Sequence, residues 1–90
     1  MEIEFDDAKR RQTLKERGLD FADAGRVFAG YTRSAPDERK DYGEPRIITM
    51  GVLEDRLVVL AWTPRGEVRR IISMRYAHED EARKFGYPVG

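Results

Sequence analysis

The sequence predicts a small single α+β domain in which N-terminal helices pack on an antiparallel β-sheet and a short helix closes the chain. Three observations carry this expectation: two capped helix patterns before Tyr31, a strand-rich stretch from Arg46 to Tyr76 broken only by brief turns, and a capped charge pattern at His78–Phe85. Ninety residues suit one core and leave no room for a second, so residues 1–90 read as one domain.

Ile3 and Phe5 give a brief alternating start, and Asp6 is placed to cap a helix over Asp7–Arg17 that Gly18 ends. Ala8 and Leu14 are its only apolar residues, so this helix adds little to a core and leaves its basic face available for contacts. Asp20 is placed to cap a second helix, in which Phe21, Ala24, Gly25 and Phe28 recur at helical spacing beside Val27, with Gly30 as the stop. This helix is the one expected to pack on the sheet.

Tyr31–Ser34 predicts an edge strand cut off by Pro36. Arg46–Leu53 reads as a strand, Glu54-Asp55-Arg56 as a hairpin loop, and Leu57–Trp62 as a buried strand because its apolar run is continuous. Thr63-Pro64-Arg65-Gly66 reads as a turn into Glu67–Tyr76. Joins this short predict an antiparallel meander. Strict alternation along the last strand puts Arg69, Ile71, Ser73 and Arg75 on one face, and Val68, Arg70, Ile72, Met74 and Tyr76 on the other. On that reading Arg69 and Arg75 are the freer pair, and Arg70 sits near the sheet edge or beside an acid, since a buried unpaired guanidinium is costly. His78–Phe85 reads as a final helix, its acids early and Arg83-Lys84 late, as the helix dipole prefers.

Composition excludes several chemistries. There is no cysteine and only one histidine, so a disulfide framework, a thiol nucleophile, a protein-built metal site and any cofactor are not expected. Seventeen basic and seventeen acidic residues cancel, which removes the positive excess of a protein that grips a long duplex. The distribution is uneven, however. Lys9–Arg17 and Arg65–Arg75 are basic patches that fit a short polyanion, an acidic partner, or only solvent. No apolar run approaches the ~20 residues of a bilayer helix, and the start lacks a basic region followed by an apolar one, so a cytoplasmic protein without a membrane partner is expected.

Charge and tyrosine concentrate in Asp37–Arg46, DERKDYGEPR, and in Arg70–Arg75, RIISMR. These two segments belong to a series that runs almost the length of the chain: F-D-x-x-K from Phe5, R-G-L-x-F-x-x-A-x-x-V-F from Arg17, D-x-R-x-D-Y-G-E-x-R from Asp37, and R-I-I-S-x-R-x-A-x-x-x-E from Arg70. In this order and spacing the series resembles the BrnT toxin family of bacterial type II toxin–antitoxin systems. The resemblance implies a RelE-like fold, RNA cleavage without help from the ribosome, neutralisation by a BrnA-like antitoxin, and DNA contact only through that antitoxin in an operon-repressing complex. The chain departs from the family pattern at Glu16-Arg17, where many members have Lys-His, at Thr13 in place of an Asn, and at Phe85 in place of a terminal Tyr.

Metal-independent RNA cleavage needs a base for the 2′-OH proton, a cation for the charge that builds on the scissile phosphate, and an acid for the leaving 5′-oxygen. Arginine suits the second task through its planar, permanently charged fork. Arg46 and Arg75 are the leading catalytic candidates, with Arg70 next and Glu44 as the base or as the residue that positions Arg46. Each arginine also reads as a plain surface or ion-pair residue. Lys9, Arg17, Arg69 and Tyr42 are the candidate RNA contacts, Lys9 also being a candidate acid, and Tyr42 stacks on a base or packs over the sheet edge. Tyr87 is close enough in sequence to replace the absent terminal phenol. His78 and Glu81 read as structural, the first near a helix cap and the second paired with a strand arginine, and Trp62 reads as core. The competing reading is a non-catalytic binding module, a degenerate toxin that only docks a DNA-binding antitoxin.

Overall fold

A computed structural model describes residues 2–86. The elements are β1 (Glu2–Phe5), α1 (Asp7–Arg17), a 3₁₀ turn (Phe21–Asp23) running into α2 (Ala24–Phe28), β2 (Thr32–Pro36), β3 (Ile47–Leu53), β4 (Arg56–Arg65), β5 (Val68–Tyr76) and α3 (Glu79–Phe85). They form one small α+β domain around a five-stranded sheet in the order β1-β5-β4-β3-β2.

The expected meander is present from β2 to β5, but the sheet is mixed, because β1 lies parallel to β5. A parallel pair needs a long crossover, and here α1, α2 and three strands lie between its members. Ile3 and Phe5 of β1 pack against the core, and Phe5 meets Phe21 edge-on at 6.0 Å.

Helix α1 has the expected bounds. The Asp6 carboxylate accepts from the Lys9 N–H at 3.2 Å, and Gly18, at φ 71°, donates back to the Leu14 carbonyl. No residue of α1 is buried. The second helical segment starts as a 3₁₀ turn, because Asp20 accepts from the Ala22 N–H with its side chain and from the Asp23 N–H with its carbonyl. Phe21, Ala24 and Val27 are buried there, Phe28 is half-buried and Gly25 faces out. Val27 lies so close to β3 that a Cβ on Gly51 would stand 2.6 Å from its Cγ1. These residues cover one face of the sheet, made by Leu53, Val58, Leu60, Trp62, Ile71 and Met74.

Two joins differ from expectation. The β3–β4 turn is only Glu54-Asp55, both at positive φ, so Arg56 already pairs with Leu53. Strand β4 runs through Thr63, Pro64 and Arg65, and the turn falls at Gly66-Glu67 instead. Past Trp62 the β3 partner has ended, so β4 is an edge on that side, where proline is tolerated.

Helix α3 starts after His78 and lies over the other sheet face. It buries no residue. Arg33 of β2 donates to the Lys84 carbonyl at 2.9 Å, Tyr31 meets Phe85 at 5.6 Å, and Arg75 of β5 pairs with Glu81. Among the described residues no helix is long and apolar enough to cross a membrane.

Candidate functional site

The β4–β5 register decides where the arginines go. Ala61 pairs with Ser73, but Trp62 pairs with Ile71, so Ile72 is an extra residue that bulges from the ladder. Strict alternation along β5 therefore fails at Ile72. Ile71 and Met74 both enter the core, Arg69 moves to the helix-covered face, and Arg70 moves to the face that Arg75 occupies.

This corrects the expected face assignment and the expectation that Arg69 and Arg75 are the freer pair. The Arg69 guanidinium lies 3.9 Å from the Phe28 ring centroid and 5.3 Å from that of Trp62, with its Nε sealed from solvent and without a hydrogen-bond partner among the described residues. Arg70 is 3.6 Å from Glu4, its register partner on β1. Arg75 donates Nη1 and Nη2 to the two oxygens of Glu81, each at 2.8 Å. Glu81 thus has the strand-arginine partner expected of it.

The segment Asp37–Arg46 is a loop closed at its base by the Asp37 N–H donating to the Arg46 carbonyl at 2.8 Å. Its hub is the Asp37 carboxylate, whose side chain is 1% exposed. That carboxylate accepts from Arg39 Nε and Nη2 at 2.8 Å each, from the Arg39 backbone N–H at 3.2 Å, and from the Tyr42 hydroxyl at 3.0 Å. The Arg39 guanidinium holds Asp37 well below the usual carboxylate range against the opposing effect of its burial, and Asp37 in turn raises Arg39. Asp41 accepts from the N–H of Gly43, at φ 75°, which makes a turn within the loop.

Tyr42 packs rather than standing open. The Arg46 guanidinium lies 3.8 Å from its ring centroid and the Lys40 ammonium 5.1 Å from it. Arg46 Nε is buried without a hydrogen-bond partner among the described residues. Glu44 pairs with Arg65 at 3.7 Å.

Two clefts flank this loop and share Pro36, Asp37 and Glu38. One, of about 490 Å³, is lined by Tyr42, Glu44 and Arg46. The other, of about 390 Å³, lies over the sheet face and is lined by Arg39, Ser73, Arg75 and Glu81. Glu81 is drawn down to about 2, first by its hydrogen bonds from Arg75. Arg75 is raised by Glu81, while the positive charge of nearby Arg39 acts in the opposite sense.

Of the residues singled out from sequence, Arg46, Glu44 and Tyr42 meet in one cleft and Arg75 stands in its neighbour. Arg70, Lys9, Arg17 and Arg69 line neither. Lys9 and Arg17 are on α1, across the sheet from Arg75, and Arg17 donates to the Met74 carbonyl at 3.0 Å. Arg10 and Arg11 of the same basic run are held by Asp20 and Asp7. Tyr87 lies outside the described residues. His78 precedes α3, its backbone N–H donating to Glu81 at 2.8 Å, and Trp62 is core, its Nε1 donating to Thr49 Oγ1 at 2.8 Å.

The residues that sequence reasoning left without a role are Asp37 and Arg39. Their signal was the D-x-R spacing at the loop's start, because an Asp that closes a loop can accept from residues two positions on.

Comparison with curated proteins gives no significant match. Residues 5–81 match the sequence model of a family described as "Ribonuclease toxin, BrnT, of type II toxin-antitoxin system". That span runs from the last residue of β1 and contains both clefts, the bulged strand and the Glu81 that holds Arg75. The chain belongs to the BrnT family of ribonuclease toxins of type II toxin–antitoxin systems.

Proposed function

We propose that this chain is a ribosome-independent, metal-independent endoribonuclease whose site is the pair of clefts flanking the loop Asp37–Arg46. The observation that carries the reading is that Arg46 and Arg75, far apart in sequence, stand in adjoining clefts that flank one hydrogen-bonded loop. Their guanidiniums hold the phosphate and stabilise the charge that builds on it. Glu44 takes the 2′-OH proton as the 2′-oxygen attacks phosphorus, and the bond to the 5′-oxygen breaks. The products are a 2′,3′-cyclic phosphate and a 5′-hydroxyl, the leaving oxygen taking a proton for which Tyr87 is the sequence candidate. Arg70 flanks the site on the face of Arg75, and Tyr42 sets Arg46. Lys9, Arg17 and Arg69 contact RNA that runs past the sheet edge onto the α1 side.

In this reading the fold is a variant of the RelE-like arrangement, and the protein acts in the cytoplasm. A BrnA-like antitoxin neutralises it, and the pair represses its own operon, with DNA held by the antitoxin alone.

A second reading is favoured by two observations: the guanidinium of Arg75 is tied to an internal partner, and Phe85, which has no phenol, packs on Tyr31 at a position where the family often has Tyr. The chain is then a degenerate toxin that only binds its antitoxin. The test is cleavage of a defined RNA by the purified, antitoxin-free chain in EDTA, beside folded Arg46→Ala and Arg75→Ala variants. Cutting that each substitution lowers by about a hundredfold or more supports the enzyme. No cutting by a folded chain that still binds antitoxin supports the second reading.

A further inference from the structure

We propose that Arg39 and Arg75 form a two-guanidinium clamp for one phosphodiester of single-stranded RNA, with Asp37 and Glu81 as the carboxylates that aim them. The inference rests on the ribonuclease reading and adds to it a phosphate-binding residue and two positioning residues.

Arg39 and Arg75 come from a loop and a strand, yet both line the cleft over the sheet face. Each is held by two hydrogen bonds to its own acid, Asp37 for Arg39 and Glu81 for Arg75. The Arg39 side chain is 78% exposed, whereas the carboxylate that fixes it is 1% exposed. A buried acid is thus anchored in the loop while the guanidinium it grips is presented to solvent. A solvated arginine needs no such mounting, because an exposed ion pair gains little. Fixing the guanidinium in advance does lower the ordering cost of placing its remaining donors on a phosphate oxygen.

Donors remain for that task. Arg39 uses Nε and Nη2 on Asp37, which leaves Nη1 without a hydrogen-bond partner among the described residues. Arg75 uses Nη1 and Nη2 on Glu81, with Nη1 also donating to the Tyr76 carbonyl at 3.2 Å, which leaves Nε without a hydrogen-bond partner among the described residues. Ser73, in the same cleft, has a hydroxyl with no hydrogen-bond partner among the described residues. The two cations repel each other across the cleft, as the effect of Arg39 on Arg75 shows, and an anion between them turns that repulsion into attraction to both.

The test is binding of a single-stranded 2′-O-methyl RNA oligonucleotide, which has no free 2′-OH to attack phosphorus, measured over a range of salt. Wild type binds; Arg39→Ala and Arg75→Ala each weaken binding at least about tenfold and reduce the salt slope by about 0.7, the value of one lost phosphate contact on a single strand. Arg39→Lys recovers the slope but not the full affinity, because it restores the charge without the fork. Should Arg39→Ala lose its cooperative unfolding transition, Arg39→Lys decides: weaker binding at an unchanged slope supports the clamp, and wild-type affinity overturns it. A wild type that does not bind, or a folded Arg39→Ala with unchanged slope, also overturns it. An Arg39-dependent slope in a chain that leaves unmodified RNA intact sinks the catalytic reading and keeps the clamp. Unchanged cutting by an Arg39→Ala variant with the wild-type slope does the reverse.

Discussion

Arg75 of β5 and Glu81 of α3 face each other fork to fork, with Nη1–Oε1 and Nη2–Oε2 both at 2.8 Å. Six residues apart, they join the sheet to a helix that buries no side chain of its own. Glu81 also accepts from the His78 N–H, so one carboxylate starts the helix and fixes it to the strand. Replacing Glu81 by Ala is expected to lower stability by about 1–2 kcal/mol, since a paired charge on a half-buried site is lost with its hydrogen bonds. In thermal denaturation that is a fall of roughly 4–8 °C per kcal/mol for a domain of this size. An unchanged midpoint would show that α3 is held by other contacts.

The same pair gives the domain a pH dependence of definite sign. Glu81 is lowered from 4.5 to about 2 in the folded chain, and Asp37 is lowered as well. The unfolded chain therefore binds more protons between these limits, and stability rises with pH there. The contribution is fully present above about pH 4.5 and is lost as pH falls through about 2. Denaturant titrations across that window are expected to show a smaller pH slope for Glu81→Gln than for wild type; equal slopes would remove Glu81 as the cause.

Tyr42 carries two separable contacts, its ring beneath Arg46 and its hydroxyl on Asp37. Tyr42→Phe keeps the first and loses the second, for an expected cost of about 0.5–1.5 kcal/mol. Tyr42→Ala loses both and releases Arg46, adding about 0.5–2 kcal/mol. If Arg46 holds the phosphate, RNA cleavage survives in the Phe variant and falls about tenfold or more in the Ala variant. Equal activities would mean that Tyr42 does not set Arg46.

Thr49 is fully buried and its hydroxyl serves both Trp62 Nε1 at 2.8 Å and Ser34 Oγ at 2.7 Å. Thr49→Val keeps the shape but leaves the indole N–H without a partner, at an expected cost of about 1–3 kcal/mol. Equilibrium unfolding with tryptophan fluorescence reads both the stability and the environment of the only Trp in the chain. A neutral substitution would place the burden on packing instead.

Local signals settled a great deal of this protein. Asp6 and Gly18 bound α1 because capping is decided by one side chain and one left-handed residue. The run Leu57–Trp62 is buried because a continuous apolar segment has no solvent face to offer. The ordered series of motifs carried the family, since it depends on residue identity and spacing rather than on folding. Tertiary structure decided where the functional groups stand. The bulge at Ile72 arises from the pairing of β5 with β4, which no period-2 reading of β5 alone contains, and it exchanged the faces of Arg69 and Arg70. The parallel seat of β1 likewise depends on which edge of the finished sheet is free. Arg39 and Arg75 share a cleft only because the loop Asp37–Arg46 closes beside β5, and a contact between residues that distant in sequence exists only once the chain has folded back on itself.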